Sequence, residues 1–234
     1  MPAQERPRLR LVLAVSLDGR LAPPQGGAAQ LGGPGDRRVL EEALSWADGG
    51  LIGARTLRLH GSTCLIRDAD LLARRRDRGL APQPVALVVS RTARLPASLP
   101  FWSQPLQRWL LAPQGSTVAP GFQRHLPLAP WPQLLAELAQ QGLRRLVLLG
   151  GASLAASLLA ADLVDELQLT FCPRLLGGAH LWLPADAGLP ALSPALQQGA
   201  WQLQDCRRLP GGECLLRYGR LIGPDALASA DASG

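Results

Sequence analysis

The sequence predicts an α/β fold: a mainly parallel central sheet flanked by helices, with an antiparallel hairpin at its C-terminal end. Three observations carry this prediction. Strand-length runs such as Leu9–Val15 and Val85–Val89 are apolar almost throughout, as strands buried on both faces are. Up to Phe171 these runs alternate with segments of helical periodicity. Beyond Trp201 the pattern changes to two strand-like runs around a Pro-Gly-Gly turn.

Leu9–Val15 opens the sheet and ends in the turn Ser16-Leu17-Asp18-Gly19. Residues 22–35, rich in Gly, Pro and Gln, show no periodicity and read as a loop. Residues 36–47 read as a helix: Val39, Leu40, Ala43, Leu44 and Ala47 recur at helical spacing, with Asp36 at the N-cap position. Asp48-Gly49-Gly50 stops it. Leu51-Ile52-Gly53 is a short buried strand, followed from Arg55 by a loop or short helix. The run Arg74-Arg75-Arg76-Asp77-Arg78 reads as a solvated helix face, with a phosphate contact as the alternative. Residues 84–90 form the next strand, and after a proline-punctuated stretch residues 107–112 form another. Residues 132–141 are an amphipathic helix and 144–149 a strand. Gly150-Gly151 then turns directly into a helix over 153–161. Residues 163–171 form a strand, and 201–208 and 213–220 pair as a hairpin around Leu209-Pro210-Gly211-Gly212. One domain is expected over residues 1–222, with the Ala/Ser/Asp-rich stretch 223–234 a disordered tail.

Composition narrows the function. Of 234 residues, 47% are apolar and 18% charged, which excludes disorder as the dominant state. A chain of this length buries about 70–75% of its extended surface and needs no disulfide or metal staple. All 24 basic residues are arginine. Without lysine, Schiff-base chemistry, pyridoxal attachment and a P-loop lysine are excluded. The net charge of +6 favours anionic partners: phosphorylated metabolites, a phosphate-bearing cofactor or nucleic acid. The basic run lacks the neighbouring aromatics of a nucleic-acid surface, so nucleic acid is not an expected partner. Cys64, Cys172, Cys206 and Cys214 have no CxxC spacing and are expected to be buried thiols in a reducing compartment. The three histidines are scattered, and no metal site is expected. The apolar run 11–16 is too short for a signal peptide, and 146–161 is broken by two glycines. The expectation is a cytoplasmic protein without a membrane span.

Three strand ends carry the chemistry. In Leu149-Gly150-Gly151-Ala152-Ser153-Leu154 a buried strand enters a helix at once, so free helix amides and side-chain-free backbone meet where a phosphate could approach. A tight packing turn with no ligand is the alternative. Ser90-Arg91-Thr92 ends a second strand with two hydroxyls and a guanidinium, which suits a monophosphate such as the 2′-phosphate of NADPH; a polar surface turn is the alternative. Gly53-Ala54-Arg55-Thr56 ends a third. Ligands of open α/β sheets bind outside the carboxyl ends of the strands, so three such ends argue for one shared site. There is no GxGxxG fingerprint and no GxSxG elbow.

Taken in order, these motifs resemble those of the riboflavin-biosynthesis pyrimidine reductase family, which has a dihydrofolate-reductase-like fold. The resemblance rests on Ser16-Leu17-Asp18-Gly19-Arg20-Leu21-Ala22, Asp36-Arg37, Ala47-Asp48 with Leu51-Ile52-Gly53 and Thr56, and Gly150-Gly151-Ala152-Ser153-Leu154 with Leu163-Val164-Asp165-Glu166-Leu167. Pro173-Arg174-Leu175-Leu176-Gly177-Gly178 completes it. It implies an NADPH-dependent reductase that converts the ribosylamino chain of 5-amino-6-(5-phosphoribosylamino)uracil to a ribitylamino chain, and a homodimer. By similarity Gly53, Thr56, Ser90, Arg91, Gly150, Gly151, Ser153 and Leu154 line the cofactor. Ala14 and Asp18 lie near its nicotinamide end, Asp18 serving with His60 as a catalytic residue, and Arg37 and Arg67 face the phosphorylated substrate.

The substrate side departs from the family pattern. Where the family has D-D-P after its threonine, this chain has His60-Gly61-Ser62, and His60 would replace the acid as a polar or proton-donating group. A helix arginine is replaced by Leu44, the serines before D-R by Gly32-Gly33, and the acid before Gly-Gly by Leu149. These departures leave two alternatives open: a same-fold reductase of a pterin or folate, or a non-catalytic nucleotide-binding or RNA-binding protein. No H-x-E…P-C-x-x-C zinc-deaminase motif is present, so deamination is expected on another protein.

Overall fold

In the computed structural model the elements run β1 (Arg8–Ser16), α1 (Pro34–Trp46), β2 (Gly49–Gly53), α2 (Ala54–His60), α3 (Ala69–Asp77), β3 (Val85–Val89), β4 (Arg108–Ala112), β5 (Arg124–Pro127), α4 (Trp131–Gln140), β6 (Arg145–Leu148), α5 (Ala152–Ala160), β7 (Glu166–Cys172), β8 (Trp201–Arg208) and β9 (Cys214–Arg220). Short 3-10 turns lie at Pro100–Ser103 and Pro210–Gly212. The structure describes residues 6–183, 196 and 201–221; the expected tail from residue 223 falls outside them. The chain forms two compact units, one of Met1–Arg8 with Arg37–Gly151 and the other of Leu9–Asp36 with Ala152–Gly234.

The first unit holds five strands in the order β5-β4-β3-β2-β6, with all four neighbouring pairs parallel. Its inner strands are apolar because they are covered on both faces: Leu51, Leu87, Leu110 and Leu146 have no exposed surface. Phe101, Trp102 and Phe122 form an aromatic cluster with ring centroids 5.2–6.4 Å apart, and Phe101 is fully buried beside Leu57 and Val88.

The arginine-rich run is not simply a solvated face. Arg74, Arg76 and Arg78 are not buried, but Arg75 is 1% exposed. Its Nη1 donates to the carbonyls of Leu44, Ser45 and Ala47 at 3.0, 3.2 and 2.6 Å, and its Nε to that of Ala81 at 2.7 Å. The last carbonyls of a helix have no partner within it, and Arg75 of α3 supplies one for the end of α1.

The second unit holds β1-β7-β9-β8, with β1 parallel to β7 and the remaining pairs antiparallel. The Asp165 carboxylate accepts the Leu9 amide at 2.7 Å, and the Asp165 amide donates back to the Leu9 carbonyl, fixing the start of β1. The hairpin is present with Gly211 and Gly212 at positive φ in its turn.

The expected N-cap role of Asp36 does not hold. α1 starts at Pro34, so Asp36 lies inside its first turn, and the Asp36 amide donates instead to Glu213 Oε2 at 2.9 Å. Cys206 corrects the expectation of buried thiols: it is exposed, Cys64 and Cys214 are half-buried, and only Cys172 is buried. α3 and β5 are elements the sequence reading did not delimit, and β7 begins at Glu166 rather than Leu163. Among the described residues no helix is long and apolar enough to cross a membrane, and no group of three or more His, Cys, Asp or Glu could hold a metal ion.

Candidate functional site

In the first unit, parallel strands β3, β2 and β6 bring their carboxyl ends side by side. Beyond β2, the Gly53 amide donates to the Gly150 carbonyl at 3.3 Å, and the Leu149 amide donates to Leu51 at 2.8 Å. Two glycine-bearing strand ends are thereby joined directly. Gly150 and Gly151 have φ of +97° and +42°, the left-handed region that favours glycine. A β-carbon on Gly151 would stand 2.9 Å from the Thr56 hydroxyl, so Thr56 packs on bare backbone there. Thr56 reaches this place because α2 starts directly after Gly53. At the end of β3 Ser90 is buried, its amide bonded to the Leu111 carbonyl at 2.9 Å, while Arg91 and Thr92 are exposed. Gly53, Thr56, Gly150 and Gly151 are therefore in contact with one another, and Ser90 and Arg91 follow the strand beside β2.

His60 ends α2 at the opposite end from Gly53. A seven-residue helix separates them by about 9–10 Å along its axis. His60 is exposed, and the following loop is fixed by the Phe101 amide on the Gly61 carbonyl and by Gln104 bridging the amide and carbonyl of Thr63.

Arg37 and Arg67 meet at a residue that the sequence reading missed. Glu41, 5% exposed, accepts Arg37 Nε at 2.7 Å on one oxygen and the amides of Arg67 and Asp68 at 2.7 and 2.9 Å on the other. Burial works against the Glu41 charge, but the two amides and the Arg37 guanidinium together hold its carboxyl below the usual range. Arg37 also donates to the Leu65 carbonyl at 2.6 Å. Its guanidinium thus straps the loop that presents the exposed Arg67 side chain.

In the second unit Asp18 is an acceptor on all sides. It takes the Ser16 hydroxyl at 2.5 Å, the Gly177 amide at 2.7 Å and the Leu176 amide at 3.1 Å. These bonds, the Ser16 hydroxyl foremost, pull its pKa down to about 2. The ionised side chain clasps the Ser16–Arg20 turn to the loop 173–178, and Arg20 reinforces the clasp by donating to the Gly178 carbonyl at 3.1 Å. Ala14 is the half-exposed residue among buried neighbours on β1 and stands opposite Thr170. Ser153 is exposed and Leu154 half-buried in the first turn of α5.

Glu213 is the second residue missed. Its carboxylate accepts the Gly33 and Asp36 amides and lies 3.9 Å from the Cys172 thiol. Burial, then the nearby Asp36 and Glu213 charges, push that thiol up to about 12. Neither glutamate has a local signal, because their backbone partners are 26 and 27 residues away for Glu41 and 177 and 180 for Glu213.

A cavity of ≈ 420 Å³ opens at the amino ends of the first unit's strands, beside Asp48, Val85, Gln107 and Leu143. It faces away from the strand ends where parallel sheets bind ligands. Its Asp48 is committed to the amides of Arg144 and Arg145.

Known proteins share the family and the fold of this chain. A family model described as the RibD C-terminal domain matches residues 7–212. The 2,5-diamino-6-ribosylamino-4(3H)-pyrimidinone 5′-phosphate reductase of Methanothermobacter thermautotrophicus is 30% identical, over 82% of this chain and 90% of its own. The solved structure of Acinetobacter baumannii RibD superposes with a TM-score of 0.77 at 24% identity. It covers 93% of this chain, which spans 58% of the RibD chain. A dihydrofolate reductase from Enterococcus faecalis superposes at 0.53 with 14% identity, covering 91% of this chain and 96% of its own, which gives the fold its class.

Proposed function

The chain belongs to the RibD C-terminal domain family, and from that membership we propose that it is a riboflavin-biosynthesis reductase. Its substrate is a ribosylamino-pyrimidine 5′-phosphate, whose sugar is opened and reduced to the ribitylamino chain. The observation that carries the reading is the joined strand-end backbone at Gly53, Gly150 and Gly151 under the Thr56 hydroxyl. It supplies side-chain-free backbone at the edge where a parallel sheet takes a phosphate-bearing ligand. The cofactor we assign is NADPH, with Ser90 and Arg91 for its 2′-phosphate, Gly53, Thr56, Gly150, Gly151, Ser153 and Leu154 along its length, and Ala14 near the nicotinamide.

When bound, NADPH supplies the hydride delivered to C1′ of the opened sugar. The protein's share is alignment and a fixed polar setting. The Thr56 hydroxyl and the Gly150-Gly151 backbone hold the pyrophosphate side, and Arg91 contributes the charge that favours a phosphorylated ribose. Glu41 fixes Arg37 and the backbone of Arg67, so that the exposed Arg67 guanidinium is presented toward the substrate phosphate. Asp18, ionised and satisfied, positions the loop 173–178 and gives no proton. His60 is the group we assign to proton sharing with the substrate. We also propose a cytoplasmic homodimer and one cooperative domain over residues 1–222.

The pyrimidine ring has two forms: the uracil, and the 2,5-diamino-pyrimidinone in the name of the archaeal relative. They differ by an oxo or amino group on the ring, away from the reacting carbon. The test is NADPH oxidation at 340 nm with each form in turn, and with NADH and dihydrofolate as controls. Turnover of either pyrimidine with NADPH supports the reading and identifies the ring form. Turnover of dihydrofolate alone, or none with substrates verified on an authentic reductase, overturns it. His60→Ala then separates proton sharing, which lowers kcat, from a surface role, which leaves kcat and KM unchanged.

A further inference from the structure

Cys206 and Cys214 take no part in the site described above. Both are free thiols, Cys206 exposed on β8 and Cys214 half-buried on β9. In the antiparallel ladder Cys206 stands opposite Leu216, and Cys214 opposite Arg208. Opposed residues share a face, and side chains alternate along a strand. The two thiols therefore project from one face as diagonal neighbours. Such neighbours lie about 7–8 Å apart, with β-carbons closer and side chains in reach of one another. The contact has a consequence: burial, then the Cys206 charge and a side-chain hydrogen bond with Cys206, hold the Cys214 thiol above its ordinary value.

The other two cysteines are placed differently. Cys172 follows Phe171, the residue opposite Cys214, so its side chain lies on the other face of the sheet, buried. Cys64 belongs to the other unit.

We propose that Cys206 and Cys214 form a reversible dithiol–disulfide site, oxidised by a peroxide and reduced by small thiols. The exposed Cys206 thiolate attacks the peroxide oxygen, the O–O bond breaks, and one water leaves, giving a sulfenic acid. The Cys214 sulfur attacks the sulfenyl sulfur, its proton goes to the departing hydroxide as a second water, and the S–S bond forms. Two electrons and two protons pass from the thiols to one peroxide. β8 lies at the end of the strand order and carries a register shift between Leu203 and Asp205. An edge strand with a bulge has room for the small approach a diagonal bridge requires.

The bridge closes the loop 206–214, which contains Glu213, the neighbour of Cys214 and the acceptor for the Gly33 and Asp36 amides. Oxidation therefore acts on the anchor of the α1 N-terminus.

The test exposes the dilute full chain to hydrogen peroxide, quenches it in denaturant and titrates thiols. A fall from four thiols to two, a cross-linked Cys206–Cys214 peptide on mapping, and recovery of four with dithiothreitol are expected. Cys206→Ser and Cys214→Ser are first shown by circular dichroism to be folded; under the same exposure Cys206→Ser should retain three thiols, and Cys214→Ser should fall to two, its Cys206 held as a sulfenic acid that dimedone labels and dithiothreitol reverses. The unfolding midpoint of the oxidised wild type should rise above that of the reduced form, while the two serine variants should show no rise. Retention of four thiols overturns the proposal. So does irreversible oxidation of Cys206 without a cross-link, or a Cys206 disulfide between two copies on a non-reducing gel.

Discussion

Glu213 accepts the Asp36 amide at 2.9 Å across 177 residues of chain, and so caps α1 from the β-hairpin. The same carboxylate takes the Gly33 amide. Gly35 permits the approach, since a β-carbon there would stand 3.0 Å from Glu213 Oε2 and 2.8 Å from the Leu209 β-carbon. Glu213→Ala leaves two amide donors without their acceptor at a site 4% exposed and is expected to cost about 2–4 kcal/mol. Glu213→Gln keeps one acceptor oxygen and should cost about half as much. Urea unfolding monitored by circular dichroism measures both. Equal losses would mean that charge, rather than geometry, holds the loop.

The other end of α1 depends on Arg75. Arg75→Met fills the volume but removes the guanidinium bonds to the carbonyls of Leu44, Ser45, Ala47 and Ala81, of which Leu44 keeps the Ala47 amide. A loss of about 3 kcal/mol or more is expected. Arg75→Lys retains a cation but not the fork that reaches several carbonyls at once, so it should fall between the two. A Met variant as stable as wild type would show that water replaces the guanidinium.

These two anchors mark where the sequence stopped being legible. β2, β3, β4 and β6 could be read because burial on both faces forces apolar residues on nearly every position. Gly150-Gly151 could be read because backbone at positive φ selects glycine. β5 was hidden because it ends the strand order of its unit: Arg124 and His125 occupy it, with Arg124 4.7 Å over the Trp109 ring and the His125 ring 3.2 Å from the Ala112 carbonyl. α3 was hidden by its arginines, one of which is a buried cap whose partners at and just beyond the end of α1 lie 28–31 residues back. Of the site, the residues at strand ends could be read from local pattern. Glu41 and Glu213 could not, because a carboxylate that serves distant amides looks in sequence like any surface acid.

Asp18 carries a pH signature with a definite sign. Its carboxyl is held at about 2 in the folded chain, against about 4 when unfolded. The native state therefore keeps the charge that the unfolded state gives up on acidification. The stability from the Ser16, Leu176 and Gly177 bonds is fully present above pH of about 4 and is lost as pH falls toward about 2. Urea midpoints measured across this window should fall more steeply for wild type than for Asp18→Asn. Activity of Asp18→Asn at neutral pH should drop through a raised KM, because the loop 173–178 loosens, and its kcat pH profile should keep the wild-type shape. A lost limb of that profile would show that Asp18 shares a proton after all.

Arg91 should set the choice between the two nicotinamide cofactors. It is exposed at the end of β3, beside the buried Ser90. A charge-assisted bond to a phosphate contributes about 1.5–3 kcal/mol, so Arg91→Ala should raise the KM for NADPH about tenfold to hundredfold and leave that for NADH unchanged. Initial rates with each cofactor decide it. An equal rise for both would move Arg91 from the 2′-phosphate to a part that the two cofactors share.

Gly151 and Thr56 should prove coupled. A β-carbon on Gly151 meets the Thr56 hydroxyl at 2.9 Å, and φ of +42° disfavours any side chain. The backbone share of the cost is about 1–2 kcal/mol and is the same whatever stands at residue 56. The steric share vanishes when Thr56 becomes Ala. Gly151→Ala should therefore destabilise the wild type more than it destabilises Thr56→Ala, and the cycle should show a coupling of about 1 kcal/mol. NADPH affinity, followed by fluorescence titration, should fall in both single variants. Only the backbone-dependent part of that loss should persist when Gly151→Ala is added to Thr56→Ala. Additive losses in both stability and affinity would mean that the Thr56 hydroxyl moves aside freely, and that the positive φ alone explains why glycine stands there.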